Sequence, residues 1–176
     1  MSHDLRRLYY ARFAFAILWA GLFAATASEL TAISVSLLLV YPLVDVAAAA
    51  YDVRTAGADR PRRALHVNMA VSLVTAVALA VAASSGIPSV LRVWGAWAIV
   101  AGVVQVVVAL RRRQLGGHVA MVLSGGISVV AGAAFVLMAG GSDASLTSLA
   151  GYATLGGLFF LVSAIRLHRT AMVDRS

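Results

Sequence analysis

The chain has 176 residues, of which 61% are hydrophobic and 12% are charged, and its mean hydropathy is +0.91. A soluble domain has roughly 25% charged residues, so a single water-soluble core is excluded and an integral membrane protein is predicted. The net charge is +7, and all fourteen cationic side chains are Arg. No cysteine is present, which excludes disulfides, thiolate zinc sites and iron–sulfur clusters.

Six apolar segments follow one another along the chain, each near the ~20 residues that a helix needs to cross a bilayer. Alternation of apolar and polar residues, which would indicate strands, is missing. The predicted spans are 8–27, 30–51, 65–83, 90–110, 119–139 and 146–165. The pattern predicts an all-α, polytopic membrane bundle of six transmembrane helices in one domain.

The joints between these spans fall into two chemical classes. Three are short and hold small or polar residues: 28–29, 84–89 and 140–145. The other joints and both chain ends are rich in Arg, so that thirteen of the fourteen Arg residues lie on one side and only Arg92 lies on the other. The positive-inside rule then predicts a plasma (inner) membrane protein with both termini in the cytoplasm.

The later spans contain an internal repeat. The third and fifth spans begin alike, because 66–72 reads HVNMAVS and 118–124 reads HVAMVLS. The fourth and sixth spans end alike, with ALR at 109–111 and AIR at 164–166. In this alignment Trp97 is equivalent to Tyr152, and Gly102 is equivalent to Gly157. A weaker first copy places Asp45 at the position of these two glycines.

A period near 50 residues indicates a repeated supersecondary unit. Here the unit is a helical hairpin, at about 8–54, 65–111 and 118–166, and three parallel copies predict a pseudo-threefold axis along the membrane normal. Hairpins with a glycine in the second helix and an Arg-containing end resemble the HdeD-type acid-resistance membrane protein family. The resemblance covers most of the chain. It implies a six-span inner-membrane protein linked to acid stress, and it transfers no catalytic residue.

Asp45 is the one acidic residue predicted deep inside a span. Counting the helical rise back from Asp52 places it about 10 Å from the membrane interface. A charged group at that depth is costly unless it faces protein or water, so we expect Asp45 to face the interior of the bundle. Pro42 lacks an N–H and frees the Leu38 carbonyl, which predicts a kink or local water just before Asp45.

The candidate site consists of Asp45 and polar residues at a similar depth. They are Arg12, Tyr41, Asn68 and Gln105, with Ser72 and Ser124 nearby. Two interpretations stay open. Asp45 pairs with Arg12, or hydrogen-bonds to Asn68 and Gln105, and so fixes helix register; alternatively, it lines a polar pocket or relay that opens to the cytoplasm.

The histidines and aromatic residues have simpler explanations. Three imidazoles, of His66, His118 and His168, can bind zinc or sense pH. Single residues on separate hairpins are expected far apart, however, so we predict interfacial positions, no metal site and no cofactor. The following aromatic residues are expected as interface anchors or in packing: Tyr9, Tyr10, Trp19, Trp94, Trp97 and Tyr152.

The sequence favours a non-enzymatic membrane protein of stress-response type that binds or passes a small solute or proton near Asp45. One alternative is a structural or partner-binding membrane component. Another is an intramembrane lipid-modifying or cyclising enzyme that uses Asp45 as its acid, although no Ser–His–Asp spacing, phosphate loop or HExxH motif occurs. The expected partners are the bilayer and anionic headgroups on the cytoplasmic side, without nucleic acid, and a homo-oligomer is compatible with the sequence.

Cysteines introduced at Gly57 and Gly141 test the topology, because the native chain has none. We expect a membrane-impermeant maleimide to label the two positions from opposite faces of sealed vesicles, with position 57 on the cytoplasmic face. Labelling of both from the same face would exclude six spans.

Overall fold

The computed structural model describes residues 2–55, 62–111, 118–142 and 144–173. These ranges contain six α-helices: α1 (Ser2–Thr26), α2 (Ala32–Thr55), α3 (Arg62–Ala83), α4 (Ile87–Arg111), α5 (His118–Met138) and α6 (Thr147–Val173). All six are long and apolar enough to cross a membrane, and the described residues contain no strand. The prediction of an all-α, six-span membrane protein is therefore confirmed, whereas Gly57 and most of the two Arg-rich joints lie outside the described ranges.

Several helices extend beyond the predicted spans. Helix α1 begins at Ser2, six residues before the apolar segment, and α6 continues to Val173, past the end predicted at 165. The apolar pattern measures the part of a helix that contacts lipid, whereas hydrogen bonding carries the helix onward through polar residues. The added turns hold Arg6, Arg7 and Arg169, so they extend toward the Arg-rich side.

The short joints turn the chain by recognisable local chemistry. Before α2, Thr31 Oγ1 accepts a hydrogen bond from the Ser34 amide at 3.2 Å, and Ser34 Oγ accepts one from the Thr31 amide at 2.8 Å. This reciprocal pair is a capping box that begins the helix. Between α3 and α4, Gly86 has φ +92°, which a residue with a Cβ adopts only with strain. Pro88 follows in the first turn of α4, where its missing N–H costs no helical hydrogen bond.

Each helix packs against its neighbours in the chain, and α6 packs against α1, so the bundle closes into a ring. The most extensive contacts are those of α4 with α5, α1 with α6, and α2 with α3. Each of these pairs joins the second helix of one predicted hairpin to the first helix of another. The helices of the bundle therefore contact each other more between different hairpins than within one hairpin.

Glycines allow the closest of these approaches. A Cβ placed on Gly102 of α4 would lie 2.5 Å from the Gly125 carbonyl oxygen of α5, and one on Gly125 would lie 2.7 Å from the Gly102 carbonyl oxygen. Gly95 and Gly132 form a second reciprocal pair two turns away, with distances of 2.6 and 2.5 Å. Backbones of α4 and α5 thus touch directly, which favours association where no hydrophobic effect operates between helices.

The three positions that the repeat makes equivalent all lie at these helix pairs. Asp45 on α2 contacts α3, and Gly102 on α4 faces α5. Gly157 on α6 faces α1, where a Cβ added to the glycine would lie 3.1 Å from the Cβ of Ala16. The repeat itself, and the superposition of the hairpins 65–110 and 119–165, stay predictions.

Gly125→Ala and Gly126→Ala form a matched pair for the α4–α5 contact. A Cβ on Gly125 collides with the α4 backbone, whereas one on Gly126 meets nothing within 4 Å. We expect Gly125→Ala to lower the unfolding free energy by about 1–3 kcal/mol and Gly126→Ala to leave it unchanged or slightly higher. Thermal melts in detergent measure the difference, and equal melting temperatures would show that the close approach does not contribute to stability.

Candidate functional site

Asp45 projects from the middle of α2 into the contact between α1, α2 and α3. Its Oδ1 pairs with the Arg12 guanidinium of α1. Its Oδ2 accepts hydrogen bonds from Asn68 Nδ2 at 2.6 Å and from Ser72 Oγ at 2.8 Å, both on α3. The side chains of Arg12 and Asp45 are 23% and 11% exposed, so the pair is largely removed from the surroundings of the bundle.

Two further helices join this arrangement through its partners. Trp97 Nε1 of α4 donates to Ser72 Oγ at 3.2 Å, and the Arg12 guanidinium carbon lies 4.3 Å from the ring centroid of Phe160 on α6. We call Arg12, Asp45, Asn68, Ser72 and Trp97 the Asp45 network. With Phe160 it connects every helix except α5.

Within the network, the Ser72 hydroxyl and both carboxylate oxygens of Asp45 have partners. Ser72 is fully buried, and its hydroxyl donates to Asp45 while accepting from Trp97. Each carboxylate oxygen has at least one donor, and one of these donors is cationic. Burial of a charge without such partners costs several kcal/mol, so the arrangement explains how a carboxylate is accommodated at this depth.

Tyr41 lies one turn before Asp45 and belongs to an aromatic cluster, which we define as Phe15, Trp19, Tyr41, Trp94 and Trp97. Its ring centroid lies 4.7 to 6.0 Å from those of the four other members, the range of favourable aromatic pairs. All three Trp residues are buried. The structure therefore shows packing, one of the two roles predicted for them.

The cluster also supports the helix turn that precedes Pro42. Helix α2 continues through this proline, which is buried. Trp19 Nε1 donates a 2.7 Å hydrogen bond to the Leu37 carbonyl oxygen in that turn, next to the Leu38 carbonyl that the proline deprives of its helical donor. Trp94 Nε1 differs, since it is the one buried side-chain nitrogen or oxygen of the described residues without a hydrogen-bond partner.

The structure thus brings together most of the residues predicted for the site. Arg12 and Asn68 contact Asp45, Tyr41 lies beside it, and Ser72, predicted only to share its depth, is a direct partner. Gln105 of α4 is half-buried, and no hydrogen bond described for the chain joins it to Asp45. Sequence reasoning missed Trp97 and Phe160, because an aromatic residue in an apolar helix gives no sign of which polar group it will contact.

The space beside Asp45 is small. A cavity of about 20 Å³ is lined by Arg12, Phe15, Tyr41, Val44, Asp45 and Phe160. A cavity needs about 10–15 Å³ of such volume to hold one water molecule, so this one accommodates about one water and no larger solute. Among the described residues, the space next to the ion pair is therefore about the size of one water molecule.

Two histidine side chains, those of His66 and His168, have described contacts. His168 Nδ1 lies 3.2 Å from an Arg6 guanidinium nitrogen, so that the ends of α1 and α6 meet. His66 Nδ1 lies 2.7 Å from the Arg62 carbonyl oxygen within α3. Within the described ranges, no three His, Asp or Glu residues come together in a group that could hold a metal ion.

No protein-family model matches the chain, and no curated protein or solved structure matches it. The resemblance to the HdeD-type family therefore stays a prediction from the glycine and Arg pattern.

The pair of Asp45 and Arg12 makes a prediction that a double-mutant cycle can measure. Asp45→Asn leaves Arg12 without its counter-charge, and we expect it to lower the unfolding free energy by about 3 kcal/mol, toward the low end for buried pairs because Arg12 is partly exposed. Adding Arg12→Gln removes the unpaired cation, so the double variant should recover part of the loss. Thermal melts of both single variants and the double variant test this, and additive losses would contradict a direct interaction.

Proposed function

We propose that the protein is a non-enzymatic, structural or partner-binding component of the membrane, in which the Asp45 network fixes the relative positions of the helices. The observation that carries the proposal is that Asp45 uses its acceptor capacity on Arg12, Asn68 and Ser72 within the bundle. A buried polar group whose partners come from several helices specifies one helix arrangement.

The surroundings of Asp45 also argue against an enzyme that uses it as an acid. An intramembrane acid must reach a substrate, and the adjoining cavity of about 20 Å³ holds about one water. The three groups that contact the Asp45 carboxylate all belong to neighbouring helices, so the carboxylate contacts α1 and α3 in place of a substrate.

A second candidate is proton binding or passage, which the same small cavity supports. Arg12, Tyr41 and Asp45 all line it, so a water there would contact two ionisable side chains besides Asp45. Proton relays in membrane pumps and transporters are chains of Asp, Glu or His residues, and Asp45 is the residue of that kind in the lining of this cavity. A stress-related role belongs with this candidate and is supported only by the resemblance to the HdeD-type family.

Proteoliposomes separate the two candidates. The purified protein is reconstituted with a pH-sensitive dye inside the vesicles, and an inward proton gradient is applied. For a structural component we expect the wild type and the Arg12→Gln, Asp45→Asn double variant to acidify the interior at the same rate as protein-free vesicles. A faster rate in the wild type that the folded double variant loses would favour the proton candidate and contradict the structural one.

A further inference from the structure

A groove of about 440 Å³ lies between α3 and α4 and shares one residue, Trp97, with the Asp45 network. We call it the α3–α4 groove. Its floor contains the buried side chains of Thr75 and Trp97, and its rim contains Val74 and Val100, which are 68% and 43% exposed. Both helices are candidate membrane spans, and the groove lies along their apolar middle portions, so the surrounding phase is lipid.

The polar atoms of the groove already have partners. Thr75 Oγ1 donates to the Val71 carbonyl oxygen at 2.8 Å, and Trp97 Nε1 donates to Ser72 at 3.2 Å. The remaining lining side chains are alanines and valines. A ligand that needs hydrogen bonds finds none here, whereas a hydrocarbon chain matches the lining.

A cation lies near one end of this groove. Arg92 immediately precedes Val93, a lining residue of α4, and its side chain is exposed. Among the described residues, its one hydrogen bond is a 3.4 Å contact to the Ala139 carbonyl oxygen just after α5, which leaves most of the five N–H donors of the guanidinium to other acceptors. Arg92 is also the only Arg predicted for this side of the membrane. An apolar slot with a cation near its end matches a lipid that has an acyl chain and a phosphate.

We propose that the α3–α4 groove binds one acyl chain of an anionic phospholipid whose phosphate pairs with Arg92, in the leaflet opposite the Arg-rich side. The chain passes Ala96, which is exposed one turn below Arg92, and lies against the ring of Trp97. A second helix fits less well, because exposed β-branched valines on the rim hold its backbone away, and close helix contacts depend on small residues.

Trp97 provides the readout for this site. In a variant with Trp19→Phe and Trp94→Phe, Trp97 is the only Trp of the chain, and phosphatidylglycerol brominated along its acyl chains quenches a Trp that it touches. The protein is reconstituted into phosphatidylcholine vesicles that contain a minor fraction of the brominated phosphatidylglycerol. We expect strong quenching, and we expect Ala96→Leu, which fills the groove, to remove most of it. Ala80→Leu is the matched control, since Ala80 is exposed on α3 but does not line the groove.

Arg92→Gln tests the headgroup contact separately. It should leave quenching by brominated phosphatidylcholine unchanged and lower the preference for phosphatidylglycerol about fivefold, the effect of one basic residue near anionic lipid. Equal quenching in Ala96→Leu and Ala80→Leu would overturn the chain site. An unchanged lipid preference in Arg92→Gln would overturn the pairing with phosphate.

A second measurement tests the lipid site without the double Trp variant, in case that variant does not fold. In native mass spectrometry, the protein with all its Trp residues should retain phosphatidylglycerol, and Ala96→Leu should retain less than Ala80→Leu; equal retention would contradict the proposal.

Val74→Cys tests whether a second copy of the chain occupies the groove, because it introduces a single thiol at the rim. Its oxidation to a disulfide-linked dimer in the bilayer would show that a second copy covers the groove and would exclude the lipid.

Discussion

The pairing of Asp45 with Arg12 is the interaction on which the arrangement of the helices depends. A carboxylate within an apolar span cannot remain charged against lipid, so helix α2 must present it to the bundle. Arg12 neutralises it from α1, while Asn68 and Ser72 occupy its other oxygen from α3. Sliding or rotating any of these three helices would leave a charge or a donor buried without its partner, and this cost specifies their register.

Two kinds of contact hold the ring of helices together, and they lie at different pairs. Helices α4 and α5 associate through reciprocal glycine contacts that bring their backbones together, which depends on shape and dispersion. Helices α2 and α3 associate through the hydrogen bonds of Asp45. The glycine contacts between α4 and α5 are disrupted by substitutions that add a Cβ. The contacts between α2 and α3 are disrupted by substitutions that remove a polar atom.

The sequence predicted the fold well because its evidence is redundant. Each span is signalled by about twenty apolar residues, so single ambiguous positions such as Pro42 did not matter. The partners of Asp45 were predicted in part: depth counted along each helix identified Arg12, Asn68 and Ser72. Depth does not determine the direction in which a side chain points, and Gln105 was therefore included while Trp97 and Phe160 were missed.

Trp97 contacts both the interior of the bundle and the α3–α4 groove. Its indole N–H closes the Asp45 network through Ser72, its ring packs against Tyr41 and Trp94, and another part of the same side chain lines the α3–α4 groove. Phe at this position would keep an aromatic ring in the groove but would leave Ser72 without a donor. A large apolar side chain with one donor is thus what this position requires, because its ring lines the groove while its N–H contacts Ser72.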